Sequence, residues 1–455
     1  MKVCLANDSF PPLIDGVSNA VVNYATIIER KYGKAIVATP KYPGVKDDYP
    51  FDVVRYASIN TTKLVGYRTG YPFSNTAMNR LVEFKPDIIH SHCPMASTFL
   101  ARELRGLVDV PLIFTYHTKF DIDIKRAVKL KMIQEPAIRE VIRNIEACDE
   151  VWVVNRGAGE NLKSLGYSGD YIVMPNGVDI DRSPADPALT EAINMGYSLP
   201  AGVPLFLFVG RVMWYKGLRT IIDSLRSLKD AGIDFRFAVV GNGDNFEEVK
   251  AYAAEQGISP ECIFTGPIYD RALLKAWYAR ADLFLLPSVF DNNPLVVKEA
   301  AACSTASVLI RNSSSAEGVV DGHNGILIED SAADMTRALV SLCAEPSKMR
   351  EMGEKAAEEL YVSWETSVEK AVARYGEVIA AYRSGEQKRQ HVKYDNAIKF
   401  IGNTYKGLFK AKLVGENLRN GIVEQIRDVG KTNEEIAAWF RSAYNNIKDH
   451  FDRYQ

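Results

Sequence analysis

Several large classes of protein leave marks that this sequence lacks. Its six cysteines (4, 93, 148, 262, 303 and 343) are scattered, with no C-x-x-C pair and no metal-type spacing, which fits reduced thiols in a cytoplasm and small core residues. No uninterrupted apolar run approaches the roughly 18 residues that span a bilayer. Neither sign of charge dominates: 55 Lys and Arg stand against 57 Asp and Glu, so no global charge argues for nucleic acid. Met1 to Asp8 enters a β-like run at once, without the charged start, apolar stretch and cleavage site of a signal peptide, and secretion is not expected. Histidine is scarce. His90, His92 and His117 lie close in sequence, but no carboxylate or thiol accompanies them at helix spacing, so no metal site is expected. What remains is a globular composition, 47% hydrophobic and 25% charged, in 455 residues, too many for one ordinary core.

Within that composition, short β-branched runs alternate with longer amphipathic stretches. Val3 to Ala6, Ala35 to Thr39, Asp87 to His90, Leu112 to Tyr116, Glu150 to Val154 and Asp170 to Met174 read as strands. A second series follows residue 200: Pro204 to Val209, Phe235 to Val240, Cys262 to Thr265, Leu283 to Pro287, Val308 to Ile310 and Gly325 to Ile328. Helical stretches such as Gly217 to Leu228 and Asn245 to Gln256 lie between them. This alternation predicts an α/β fold of two Rossmann-like doubly wound domains, each with a parallel sheet covered on both faces. Asp181 to Gly202, with Pro184, Pro187 and Pro200, is expected to connect them, and the helix-like Trp364 to Tyr382 to close the second series. Doubly wound sheets bind ligands at the carboxyl ends of their strands, so two facing units predict a cleft with one substrate on each wall. Residues 384–455 have no strand signal; between Lys388 and Arg419 eight basic residues stand against two acidic ones.

Residue types suited to an anionic, polyhydroxylated ligand gather at the strand ends. Asp291-Asn-Asn-Pro-Leu-Val-Val-Lys-Glu299 follows the apolar strand Ala281 to Ser288 and sets two carboxylates across a strand-to-helix turn. The plainer reading is a helix capped by Asp291 with Glu299 on a solvated face. Phe206 to Gly217 places Gly210, Arg211 and Lys216 just past a strand end. There a guanidinium and an ammonium can hold a diphosphate and stabilise the charge that develops as it leaves, unless both are merely solvated. Gly241 and Gly243 bring backbone N–H groups near phosphate or serve only turn geometry. Phe10 to Val21 opens a helix after the first strand, and Gly16 there would let the backbone approach a ligand from the opposite wall. His117 follows a strand and can face the cleft, although a lone His is more often a satisfied structural residue; His90 and His92 can shape their loop.

These elements, in this order, resemble the retaining glycosyltransferases of family 4, which have the GT-B arrangement. Asp291 and Glu299 match the family's Glu-x7-Glu with Asp in place of the first Glu, and Gly210-Arg211 with Lys216-Gly217 match its Gly-Arg…Lys-Gly. Phe264 to Asp270 resembles the loop under the nucleotide base, Gly318 to Ile328 the turn and strand after the donor site, and His117 the strand-end His. The resemblance covers residues 1 to about 382. It implies an acceptor-side domain over 1–182 and a nucleotide-sugar-binding domain over 203–363, to which the chain's own pattern and charge add a closing helix at 364–383 and a basic amphipathic helical extension at 384–455. The donor would meet Gly16, Gly210, Arg211, Lys216, Gly241, Ile268, Asp291, Asn292, Asn293, Leu295 and Glu299. In that picture Glu299 accepts from the ribose, backbone groups near Ile268 read the base, and Asp291 lies beside the transferred sugar. Asp291, Arg211, Lys216 and His117 carry the chemistry, a front-face substitution in which the departing phosphate oxygen takes the acceptor proton. No metal and no cofactor is implied, because the Arg211 and Lys216 clamp supplies the positive charge. Asp291 is one methylene short, Pro294 replaces a usual Gly, Glu299 to Ala306 lacks the later Gly and Pro, and Asp15-Gly16 stands for two glycines; these departures leave the sugar open.

Residues 290–301 and Tyr116 to Phe120 look like bacterial diacylglycerol glycosyltransferases, which implies transfer of a hexose from a UDP-linked sugar to a membrane lipid. Lys125 to Lys131 adds a basic segment to the acceptor wall, or else a solvated helix face. In Ala397 to Val414, Ile398, Ile401, Tyr405, Leu408 and Phe409 share one helical face flanked by Lys399, Lys406 and Lys410, the layout of a helix lying in an anionic membrane surface. Thr432 to Glu435 reads as a capping box opening a second amphipathic helix. The expectation is a cytoplasmic enzyme, peripheral on the inner face of the membrane through 388–419. A soluble or polysaccharide acceptor stays open, as does a GT-B fold kept as a non-catalytic binding module; retention of Arg211, Lys216 and Glu299 argues against the latter.

Overall fold

Strands that are apolar on both faces must be covered on both, and in this chain they become the centres of two all-parallel sheets. The computed structural model describes residues 1–13, 15–62, 68–72, 74–117, 120, 124, 131–291 and 293–385. In the first half β1 (Lys2–Ala6), β2 (Lys34–Pro40) and β3 (Asp52–Tyr56) are followed by a small antiparallel pair, β4 (Ser58–Ile59) and β5 (Thr69–Gly70). Then come β6 (Ile88–Ser91), β7 (Leu112–Tyr116), β8 (Glu150–Val153) and β9 (Ile172–Val173), giving a seven-stranded sheet in the order β3-β2-β1-β6-β7-β8-β9. The second half contributes β10 (Leu205–Val209), β11 (Arg236–Val240), β12 (Cys262–Gly266), β13 (Leu283–Leu286), β14 (Ala306–Ile310) and β15 (Ile326–Ile328), in the order β12-β11-β10-β13-β14-β15. Strand order reverses between β1 and β6 and between β10 and β13, which opens a crevice at the carboxyl edge of each sheet.

Three features differ from the sequence reading. The edge strand β3 and the β4–β5 pair went unanticipated. The connection contains a helix, Pro187–Gly196, capped by Asp186 and started by a proline at its first position, where no N–H is needed. It is tied to the second domain, Arg280 donating to Asn194 at 2.6 Å and Tyr197 packing edge-on against Trp277. The helix Trp364–Ser384 follows the second series in the chain but packs on the first domain. Its buried stripe of Trp364, Val368, Ala371, Tyr375 and Val378 joins Val3, Leu5, Tyr24, Ile28 and Trp152 in one core. The rings of Trp152 and Tyr375 stack with centroids 5.4 Å apart, a contact worth about 0.5–1.5 kcal/mol beyond its buried area. The expected membrane helix at 397–414, the second amphipathic helix and the rest of the extension from residue 386 lie outside the described residues, as do 125–130 and Asn292. Among the described residues no helix is long and apolar enough to cross a membrane.

Candidate active site

On the second domain the strand-end residues converge. The backbone turns sharply after β10 and β13, and Gly217, at φ 81°, lies so close to Pro287 that a Cβ would sit 2.1 Å from its carbonyl oxygen. That approach carries Lys216 to the head of the next loop, where its ammonium pairs with Asp291 Oδ1. Asp291 Oδ2 and Asn293 Nδ2 are buried and have no hydrogen-bond partner among the described residues. Leu295 begins a helix, Leu295–Ala302, whose N-cap Pro294 offers no side-chain cap to the first N–H groups of that helix. Arg211 is exposed, and no hydrogen bond or ion pair engages it among the described residues. Glu299 lies deeper, buried, accepting from Arg271 Nη2 at 3.0 Å and from the Tyr278 hydroxyl at 2.9 Å. A solvated helix-face role for Glu299 does not match this burial.

Gly210, at φ 147°, has a backbone reason to be glycine, and Gly241 has a packing one. Gly241 donates to Gly266 at 2.9 Å, and a Cβ on it would meet the Gly210 carbonyl oxygen at 2.0 Å, so the loops after β10, β11 and β12 stack backbone on backbone. The turn-geometry reading of Gly241 is the one its surroundings support. Ile268, half-buried, packs against the same core at the end of β12.

The opposing wall is built differently from the expectation. The helix Gly16–Lys31 is closed by Asp15, whose carboxylate accepts from Val17 N at 2.9 Å and Ser18 N at 2.7 Å while Ser18 Oγ accepts from Asp15 N, a complete capping box. A carboxylate already sits where an approach to phosphate was expected, and Gly16 leaves open space beyond its Cα. His117 is buried and both its ring nitrogens are engaged: Nε2 lies 2.9 Å from His92 Nδ1 and Nδ1 lies 3.4 Å from Asn176 Nδ2. Because an amide nitrogen only donates, His117 carries its proton on Nε2 and gives it to His92 Nδ1, leaving His92 Nε2–H as a buried donor without a partner among the described residues. Burial pushes the pKa of His117 down to about 3 and holds His90 and His92 well below the usual range, so the trio is neutral. A free His117 side chain reaching for a sugar is therefore not what the structure holds. His92, assigned to loop shaping, presents the spare N–H.

The two walls touch at strand ends. Asn155 donates to Ser314 at 3.1 Å, Glu317 accepts from the backbone of Arg156 at 2.8 Å and Gly157 at 3.1 Å, and Lys298 donates to the Asn176 carbonyl at 2.8 Å. None of Arg271, Tyr278, Asn176, Lys298 and Glu317 stood out in the sequence. The seven-residue spacing of Arg271 and Tyr278, two helical turns, was the available signal that both face one way. Among the described residues no group of three or more His, Cys, Asp or Glu is placed to hold a metal ion.

Known proteins share both halves. Residues 14–182 match the model for Glycosyltransferase Family 4, and residues 191–359 match that for Glycosyl transferases group 1. A D-inositol 3-phosphate glycosyltransferase of Xylanimonas cellulosilytica is 30% identical over 257 residues, 53% of this chain and 60% of that protein. A GDP-mannose-dependent alpha-(1-6)-phosphatidylinositol monomannoside mannosyltransferase of Mycolicibacterium smegmatis is 28% identical over 262 residues, 55% of this chain and 68% of that protein. The chain thus spans about 60% of the length of the first of these relatives. Among solved structures, Anabaena HepE in complex with UDP superposes with a TM-score of 0.67 at 15% identity, covering 83% of this chain and 100% of that one, and shares the fold.

Proposed function

From membership of the GT-B glycosyltransferases of family 4, carried by both matched halves, we propose that the chain moves a hexose from a nucleotide sugar, UDP-linked, to an acceptor with retention of configuration. The observation that carries the donor site is a pair of buried groups without a hydrogen-bond partner among the described residues, the acceptor Asp291 Oδ2 and the donor Asn293 Nδ2, both on the segment just before a helix that no side chain caps. A sugar hydroxyl both donates and accepts, and satisfying two such groups removes a desolvation cost of about 1–3 kcal/mol each. The N–H groups at Leu295, with Lys216 and Arg211, face the diphosphate. Lys216 must turn from Asp291 toward phosphate for this, and the displaced Asp291 oxygen is then free for the sugar. Glu299 takes the ribose hydroxyls with the lone pairs that Arg271 and Tyr278 leave. As the bond between the anomeric carbon and the diphosphate oxygen breaks, charge on the diphosphate is met by Arg211, Lys216 and the helix N-terminus, and the departing phosphate oxygen takes the acceptor's proton as the acceptor oxygen bonds to the anomeric carbon. In this reading neither a metal nor a cofactor is needed.

For the acceptor we favour a membrane lipid. The relative named for a phosphatidylinositol monomannoside supports a lipid; the one named for D-inositol 3-phosphate supports a second reading with a soluble acceptor. Two variants test the donor site. Glu299→Gln should weaken UDP binding about tenfold or more, whereas Asp291→Asn should spare UDP binding and depress sugar transfer about ten- to a hundredfold. Calorimetric affinities for UDP that are equal in wild type and Glu299→Gln would remove Glu299 from the donor site.

A further inference from the structure

Both oxygens of Glu299 are held from one helix, Arg271–Arg280, and the two holders differ in kind. Tyr278 is fully buried and donates to Oε2; Arg271, with its side chain 48% exposed, donates through Nη2 to Oε1. The same Nη2 lies 3.6 Å from Asp179 Oδ2, and Asp179 Oδ1 accepts from Asn23 Nδ2 at 3.1 Å, on the helix Gly16–Lys31 of the other domain. One guanidinium thus faces two carboxylates, one on the donor wall and one on the segment that crosses between domains. A single donor would fix one oxygen and let the carboxylate plane swing; two donors fix the plane, and the remaining lone pairs keep a set direction.

Resting on the reading of Glu299 as the ribose acceptor, we infer that Arg271 is a positioning residue for the donor: it orients Glu299 toward the 2′ and 3′ hydroxyls and ties that orientation, through Asp179 and Asn23, to the first domain. Arg271 touches neither the sugar nor the phosphates in this arrangement. Its effect should therefore be felt only by ligands that have ribose hydroxyls. A lysine at 271 keeps the charge but loses the planar fork, so it should restore part of the effect.

The test is calorimetric titration of the full chain with UDP and with 2′,3′-dideoxy-UDP, the corresponding guanosine pair run in parallel. Wild type should prefer the ribose form by about tenfold or more, the loss expected for hydrogen bonds to a charged group. In Arg271→Met the preference should shrink towards one because affinity for the ribose form falls while that for the dideoxy form holds; Arg271→Lys should lie between. KM for the sugar donor should rise more than kcat falls. Tyr278→Phe should shrink the same ratio, and a melting curve for each variant separates misfolding from misorientation. A wild type that discriminates beside an Arg271→Met that keeps the full ratio would overturn the positioning role and leave the ribose reading standing. Equal wild-type affinity for both forms, or no binding of either pair, would overturn the ribose reading and this inference with it.

Discussion

Lys298 brings an ammonium into the seam between the domains, one position before Glu299, the proposed ribose acceptor. Desolvation pulls its pKa down to about 8, an effect that the nearby Glu317 partly offsets. The unfolded chain holds that proton up to about pH 10.4, so between pH 8 and 10.4 unfolded molecules bind a proton that folded ones have lost. The cost of the buried charge is fully present below pH 8 and is relieved as pH rises through that window, by roughly 3 kcal/mol over two pKa units. Replacing it by Lys298→Met should therefore give a melting temperature whose advantage over wild type is largest near pH 7 and declines towards pH 10. A difference that does not vary with pH would show that the ammonium is solvated. At this scale the sequence singled out Arg211, Lys216, Asp291 and Glu299 as candidates, because they lie shortly after a strand end and need no knowledge of any distant contact to be noticed. Lys298, Arg271 and Asn176 stayed hidden because what gives each its role comes from more than 25 positions away or from the other domain.

Elements were legible in proportion to how far their own apolar pattern determines them. The central strands, buried on both faces, were placed within a residue or two at most ends. The edge strand Asp52–Tyr56 alternates exposed and buried positions and carries Asp52 and Arg55, which mask its β signal. In the connection, Pro184, Pro187 and Pro200 marked the link between domains without showing its helix, which Pro187 starts. The pattern of Trp364 to Tyr382 marked a helix and could not show on which domain its buried stripe packs. That helix supplies Tyr375, whose hydroxyl lies 2.5 Å from His90 Nδ1 beneath the sheet end, while His90 Nε2 lies 2.6 Å from Thr115. The neutral trio His90, His92 and His117 has a consequence in acid. Below pH 6.5 the unfolded chain takes up protons that the folded chain refuses, so stability falls by about 1.4 kcal/mol per pH unit for each histidine. Asp8, whose pKa burial raises, opposes this in part as it takes up a proton. Urea unfolding should show a steep loss of stability from pH 6.5 to 5, shallower in His90→Gln. Equal slopes in the two proteins would place a charged or solvated His90 in the fold.

For the whole molecule, the two domains meet where their strands end, and polar contacts from Asn155, Glu317 and Lys298 join the walls beside the proposed donor site. The amphipathic pattern beyond Ser384 carries the proposal of peripheral membrane contact. Near-surface lysines contribute about 1 kcal/mol each on an anionic membrane, so a chain truncated after Ser384 should lose salt-sensitive binding to phosphatidylserine vesicles while keeping its affinity for UDP. Equal cosedimentation of full-length and truncated chains would move the acceptor reading to a soluble molecule. The central claim is that Arg211 and Lys216 support departure of a nucleoside diphosphate from a sugar. Its most direct test is nucleoside diphosphate release from a panel of nucleotide sugars, with lipid extract present, by wild type and by Arg211→Ala/Lys216→Ala at saturating donor. Release by wild type with at least one donor, falling about a hundredfold or more in the double variant, is the predicted result; equal release by both proteins, or none by wild type with any donor, would contradict it.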